Sequence, residues 1–554
     1  MLSLPGYMSD TTKAERKWVF CFAILVMMVT SVPYLLAYGA QGEDWRFTGF
    51  VFGVEDGNSY IAKMLRGADG DWLFRTPYNA YDQKGVIAFL PHILLGKLSA
   101  SPGQHEQLVA LYHLARFVCG MFAILVMYDF IAVFIKNIVR RRIGLAAATL
   151  GGGFGWLLVV LGQPEWLGSL PLDFYSPESF GFLIFYGLPH LALARALFLW
   201  GVMIYLKTDP AAINLEGTGK VWRQALRDGW QIGILWLGVG LLNPLTVVLA
   251  WAAVGSHLVM LALQGYSKKY RGSNYDWKVW WVYARSAIWS VVVSSPIVIY
   301  ILISFNLDPV LRGWTTQNAC PSPHPLHYLV AYGLMVPFAF YGGRRLLKRF
   351  PSRGGLIVAW AVIFPFLAYA PHQLQRRFLE GYWLVLVILF VCVFDGLEIR
   401  RTKLVVTILL LTLPTTLFLM FGGLKAAIKP VEPLFRTVDE VAVFQFLDSV
   451  KENESVVLSS YATGNVLPAW APVFVVIGHG PESVYLSELA LRVTDFYHPE
   501  TTDHVRQSFI LEFGVDFVFW GPAEWALGEW NPGDATYLVR IFQQGDYALF
   551  EVLD

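Results

Sequence analysis

The chain has 554 residues, 56% of them hydrophobic and 15% charged, and a mean hydropathy of +0.49. Soluble globular chains are about 45–50% apolar and about 25% charged, so a string of soluble domains is excluded and a polytopic α-helical membrane protein is expected. The net charge of +1 hides an asymmetry: residues 425–554 hold 7 Lys/Arg against 19 Asp/Glu, and residues 1–424 hold 35 against 22.

Bilayer-length apolar runs begin at 18–38 and recur at 109–135, 143–162, 181–206, 279–304, 326–342, 355–371, 379–396 and 403–422. The run 231–263 is too long for one crossing and is interrupted by Asn243-Pro244, which predicts two short crossings. The stretch 84–98 holds Pro91, His92 and Lys97 and reads as a short crossing or a re-entrant segment. The first run is preceded by Lys13, Arg16 and Lys17 and followed by Ala37-Tyr38-Gly39-Ala40, which permits a cleaved signal peptide. The length of the run and the number of later spans favour a retained helix. About eleven crossings result, or thirteen if 84–98 crosses and 105–135 splits in two.

Orientation follows from five basic groups: Lys13/Arg16/Lys17, Lys136 with Arg140 to Arg142, Lys268-Lys269-Arg271, Arg344-Arg345 with Lys348-Arg349, and Arg400-Arg401-Lys403. Placing all five in the cytoplasm puts 39–83, 163–180 and 371–378 on the outer side of a plasma (inner) membrane. The C-terminal region then lies outside as well. With basic residues dispersed over short loops, no nucleic-acid partner is expected. The cysteines, Cys21, Cys119, Cys320 and Cys392, show neither a disulfide framework nor zinc-ligand spacing.

Two domains are expected: a transmembrane module over 1–424 and a soluble α/β domain over 425–554. In the latter, Val438 to Val450 reads as an amphipathic helix with a Thr437 cap and Glu440 three residues on. Val456 to Leu458, Val473 to Ile477, Phe517 to Phe519 and Tyr547 to Val552 read as strands, and Tyr485 to Tyr497 as a helix. A small sheet covered by helices is the expected arrangement.

The loop 39–83 is polar, aromatic and glycine-rich. Glu55-Asp56 precedes Gly57-Asn58-Ser59-Tyr60, and Tyr60 to Met64 reads as a short helix along the membrane interface. A carboxylate here, tuned by burial and nearby cations, suits a general base. The competing reading makes Asp56 only a helix cap. Farther on, Arg376-Arg377 violates the positive-inside rule. Either a local ion pair with Glu380 or an anionic ligand, most simply a phosphate, accounts for it. Intramembrane charges are costly and commonly functional, which singles out His190, Arg195, His113 and Arg116. A satisfied internal polar network serves equally well for these. His372 lies beside the arginine pair as a secondary candidate. Asp56, Asn58 and another outer carboxylate would suit Mg or Mn, but no strong metal spacing is present and metal use stays open. Gly478-His479-Gly480-Pro481-Glu482 reads as a tight turn or an acceptor-contacting loop, and lacks nucleotide-loop spacing.

The first span with its acidic loop, the outer Gln375-Arg376-Arg377 and the exterior C-terminal domain resemble the GT-C superfamily. These are integral-membrane glycosyltransferases that use polyprenyl-phosphate-linked sugars. The Glu55–Tyr60 and Gly478–Glu482 segments resemble those of a bacterial branch. The resemblance implies a sugar moved from a polyprenyl-phosphate donor to a glycan, lipid or protein acceptor at the outer face. It implies Asp56, with Glu55 as its rival, as base, and Arg376 and Arg377 as donor-phosphate ligands joined by His190. It also implies a second acidic position drawn from Glu165, Asp173 and Glu178, and inversion at the sugar carbon. The rival function is a flippase or transporter of a lipid-linked glycan, which would carry paired broken helices; only the Asn243-Pro244 break is evident. A non-catalytic scaffold leaves the charged clusters without a purpose.

Overall fold

A computed structural model describes residues 11–207, 218–270, 277–394 and 399–553. Arg271, from one of the basic groups, lies outside the described residues. So do the side chains of Arg400 and Arg401.

The chain is a multi-pass helical membrane protein. Among the described residues, seven segments are long and apolar enough to cross a bilayer: Lys13–Ala40, Gln104–Phe134, Pro189–Lys207, Pro244–Tyr270, Trp277–Leu307, Gln375–Phe394 and Val406–Ala427. The shortest, at 19 residues, is about 29 Å long at about 1.5 Å per residue, close to the thickness of a bilayer core. The expected break at Asn243-Pro244 is present, with helices Thr218–Leu242 and Pro244–Tyr270 on either side. Gln104–Phe134 is one uninterrupted helix.

Several apolar runs fold as shorter helices. The stretch 84–98 yields only Leu90–Gly96, and 326–342 divides into Pro325–Tyr332 and Met335–Arg349. The run 143–162 is not one span. Helix Ile138–Leu150 stops at Gly151-Gly152-Gly153, where the backbone leaves the helical ladder and bonds to other segments. Gly152 N donates to Thr412 O (2.8 Å) and Phe154 N to Ala331 O (3.3 Å). Hydropathy is blind to such a backbone exchange.

The chain divides into two compact units, each discontinuous in sequence. The first comprises 1–30, 115–300 and 320–421. Several of its buried charged groups are paired, as a low-dielectric interior favours. Arg141 Nη1 meets Glu15 Oε1 at 2.8 Å, and the Tyr128 hydroxyl donates to the same oxygen at 2.7 Å. Arg116 Nη1 donates to Thr30 Oγ1 (3.1 Å) and Phe185 O (3.0 Å), a satisfied internal network.

The second unit comprises 31–114, 301–319 and 422–554. Its main sheet has five strands in the spatial order Phe474–Val475, Val456–Leu458, Phe517–Trp520, Tyr547–Val552, Leu538–Gln544. The first three are parallel, and the last two pair antiparallel. Side chains alternate between faces, as strand geometry requires. Val457, Val475 and Phe519 join one buried cluster, and Leu458, Val476 and Val518 the other. Helices Leu486–Phe496 and Asp503–Phe513 cover the second face. The first is covered by Val438–Val450, whose Thr437 Oγ1 accepts Glu440 N at 3.2 Å as its sequence predicts, and by Val54–Ala68 from the first loop. A small second sheet pairs Trp45–Phe47 antiparallel with Phe435–Thr437.

The first-loop helix therefore corrects the interfacial reading. It is 15 residues long rather than five, and Ile61, Ala62, Met64 and Leu65 are buried against the sheet and its covering helix. Truncating one of these leaves a cavity that the packed layers cannot close. Leu65→Ala is expected to cost about 2–5 kcal/mol, read as a lowered unfolding midpoint of the purified protein in lipid.

Candidate active site

Helix Val54–Ala68 starts at Gly53, whose backbone is left-handed (φ 59°) and which provides no side-chain cap. Glu55 and Asp56 thus stand inside the first turn and are exposed. This corrects the cap reading: Asp56 does not precede the helix. Two carboxylates at a helix N-terminus are favoured by the helix dipole.

The next turns turn inward. Ser59 and Lys63 lie on one helix face with Asp56, at spacings of three and seven, and both are buried. An ammonium with no water around it needs an anion. Lys63 Nζ meets Glu482 Oε1 at 2.6 Å, with both side chains almost fully enclosed. Glu482 Oε1 also accepts from Ser59 Oγ at 2.8 Å, and Oε2 from Thr76 Oγ1 at 2.6 Å. Lys63 also contacts Ser59 Oγ and sits 4.5 Å from the centre of the Phe89 ring. Burial acts to raise the Glu482 pKa, but Lys63, His479 and the hydrogen bonds outweigh it and hold the carboxyl below its ordinary value.

Glu482 belongs to the Gly478-to-Glu482 segment, which is a tight turn. Ser483 Oγ accepts from Gly478 N (3.0 Å) and His479 N (3.2 Å) and donates to Tyr78 O (3.0 Å). Gly478 is required there, because a Cβ would lie 2.3 Å from the Gly464 backbone. The turn aims His479 at the first-loop helix. Its Nε2 is 3.3 Å from Asp56 Oδ1, and its Nδ1 is 3.4 Å from Glu482 Oε1. The neighbouring Glu55 accepts from the Tyr461 hydroxyl at 3.3 Å. Burial and then Glu55 push that hydroxyl up to about 12.

Glu55 and Asp56 are thus brought together with His479, Glu482, Lys63 and Tyr461. The sequence singles out the segment holding His479 and Glu482 without a role for either residue, and Lys63 is not among its candidates. A lone lysine within Ile61-Ala62-Lys63-Met64-Leu65 is a legible signal that a buried anion must face it. Asn58, proposed with Asp56 for an oxygen-rich site, is buried and donates its amide to Asn465 Oδ1 at 2.8 Å. Among the described residues no group of three or more His, Cys, Asp or Glu is placed to hold a metal ion.

The arginine pair, His190, His372 and the candidate second acidic residues lie in the first unit. Arg376 Nη1 donates to Tyr175 O at 2.5 Å, and its guanidinium stacks over the Tyr175 ring at 4.4 Å. Arg377 is partly exposed, with its Nε 3.6 Å from Glu178 Oε1. Glu380 pairs instead with buried Arg195, Nε to Oε1 at 2.6 Å, so it is not the partner that the sequence offered to the arginine pair. Arg195 Nη2 also bonds Pro177 O and Glu178 O, and Gly381 N bonds Glu178 O at 2.8 Å, which locks segment 175–180 against 376–381. Asp173 is buried, bonded by Thr415, and pushed up to about 6 by burial. Glu165 is exposed, and His190 is half-buried in the first turn of Pro189–Lys207. His372 accepts from Leu374 N at 3.0 Å and packs on Phe378.

No family model matches the chain, and no curated protein matches it. Solved structures do. AglB, the oligosaccharyltransferase of the archaeon Archaeoglobus fulgidus, solved with an inhibitory peptide and a dolichol-phosphate, superposes with a TM-score of 0.51 at 11% identity, covering 92% of this chain and 70% of that one. ArnT from Cupriavidus metallidurans superposes in its apo state with a TM-score of 0.54 at 11% identity, covering 97% and 98%. The same protein bound to undecaprenyl phosphate gives 0.50 at 11%, covering 96% and 98%. The chain shares the fold of these proteins.

Removing one member of a buried ion pair strands the other. Lys63→Met is expected to cost about 3–5 kcal/mol, and Lys63→Met with Glu482→Leu to recover a large part of it, both read from unfolding midpoints. Because the Glu482 pKa is depressed on folding, its stabilisation is present above the ordinary carboxylate value of about 4.3 and is lost as pH falls through the folded value. The wild-type midpoint is therefore expected to fall on acidification below that range, and to a lesser degree in the double variant.

Proposed function

We propose that the protein is a glycosyltransferase. It moves a sugar from a polyprenyl-phosphate donor to a glycan, lipid or protein acceptor at the outer face of the membrane. The observation that carries this reading is the exposed Asp56 carboxylate, bonded to His479 above the buried Glu482–Lys63 pair, in a chain with this fold. The dolichol-phosphate and undecaprenyl phosphate bound to its structural neighbours support a lipid-linked donor.

The chemistry is a single displacement. The acceptor hydroxyl attacks the anomeric carbon as its proton passes to the Asp56 carboxylate. The bond to the phosphate oxygen breaks on the opposite side, and the lipid phosphate leaves with the electron pair. A positioned carboxylate contributes as a general base, and no covalent intermediate is required, so the anomeric centre inverts. Arg377, whose guanidinium is partly exposed, Arg376 and His190 are the residues assigned to the departing phosphate. Glu178, which faces Arg377, is the favoured second acidic residue; Asp173 is enclosed by its Thr415 bond. The N-terminus is read as cytoplasmic and residues 425–554 as outside, which the basic groups flanking the spans support.

The test is transfer from radiolabelled polyprenyl-phosphate sugars by protein in lipid. Asp56→Asn is expected to lower turnover by about 10²–10⁴-fold while the folded protein is retained, and full activity in that variant contradicts the assignment of the base. Arg377→Ala is expected to raise the donor KM by about tenfold, the equivalent of about 1.4 kcal/mol of charge-assisted binding; an unchanged KM removes it from the donor site.

A further inference from the structure

We infer that His479, supplied by the C-terminal part of the chain, is a positioning residue that fixes the Asp56 carboxylate for proton abstraction. The inference rests on Asp56 being the base, as proposed above, and extends the machinery to a residue some 420 positions away in sequence.

The Asp56 side chain is 64% exposed, at the first turn of a helix whose remaining turns are buried. A carboxylate so placed samples several rotamers, and each wrong one lowers the fraction of encounters aligned for attack. The His479 ring is the opposite: its side chain is 9% exposed, and its backbone is held by the Ser483 hydroxyl. Its Nε2 contacts Asp56 Oδ1. A rigid group bonding a mobile one transfers order outward, as outer-shell residues do for reactive groups in general.

What orders His479 is equally visible. Nδ1 faces Glu482 Oε1 at 3.4 Å, and Glu482 is fixed by Lys63, Ser59 and Thr76. Tyr78 packs against the imidazole with 5.3 Å between ring centres, and its own hydroxyl bonds Asn465 O. The four groups form a closed path: Lys63, Glu482, His479, Asp56. Both ends belong to the same helix, seven residues or about 10.5 Å apart, so the turn grips the helix at two points. Lys63 and Glu482 secure the turn, and His479 passes that rigidity on to the carboxylate. A turn built only for stability needs the Glu482–Lys63 pair and gains little from a histidine reaching an exposed carboxylate, since such exposed pairs are weak.

The experiment is His479→Ala in full-length protein in lipid, assayed for transfer from the labelled donor with and without excess imidazole, beside Asp56→Asn and the double variant. The expected result is a loss of kcat of about 10–100-fold with the donor KM unchanged. Imidazole is expected to restore kcat in His479→Ala and to leave Asp56→Asn unaffected, and the double variant to be no slower than Asp56→Asn alone. A kcat within about twofold of wild type overturns the inference. So does a loss that imidazole does not restore, because the residue then serves only the fold. Full activity of Asp56→Asn overturns the base assignment itself, an outcome separate from any result for His479.

Discussion

The buried pair between Lys63 and Glu482 is the constraint on which the second unit depends. Neither charge has access to water, so each is tolerable only while it faces the other with its remaining bonding capacity filled. Ser59 and Thr76 fill that of Glu482. This fixes the register of helix Val54–Ala68 against the turn at Gly478 to Ser483. The same helix buries Ile61, Met64 and Leu65 over one face of the sheet. A segment of the first loop is thus an integral layer of a domain whose strands come from the end of the chain, and Asp56 is carried on a rigid element.

The first unit is organised by a comparable pair. Arg195 and Glu380 are buried together, and the second guanidinium arm of Arg195 holds the carbonyls of Pro177 and Glu178. Arg376-Arg377, expected from the sequence to break the positive-inside rule, has local partners in this frame. Arg376 is tied to Tyr175, and Arg377 faces Glu178. Arg377 keeps enough exposure for an anion to reach it, so the ion-pair and phosphate readings are compatible for that residue.

Much of this was legible in sequence where local signals suffice. The Thr437 cap and the period of Val438 to Val450 located that helix, and short apolar runs located four strands of the main sheet. The Asn243-Pro244 break was readable from proline's missing donor and its clash with the preceding turn. Long-range facts were not readable. Helix Val54–Ala68 looked short and interfacial because its polar residues, Asn58, Ser59 and Lys63, find partners more than 400 residues away. Its start was obscured because Gly53 begins it without a capping side chain. Helix Asp503–Phe513 and strand Leu538–Gln544 went unread for a related reason: one side of each is solvated, which weakens the apolar pattern. Asp56 was found through motif resemblance, while His479 required the fold to bring two motifs together.

The central claim is that this chain catalyses sugar transfer from a lipid phosphate, rather than carrying a lipid-linked glycan across the membrane. It is tested most directly by placing the wild-type protein in sealed vesicles with a panel of labelled polyprenyl-phosphate sugars and a crude acceptor extract. Free polyprenyl phosphate and glycosylated acceptor are then measured together. The account predicts that the two products appear in equal amounts, with the anomeric centre inverted. Donor that binds and crosses the bilayer with its sugar still attached, and no product from any donor in the panel, would contradict it.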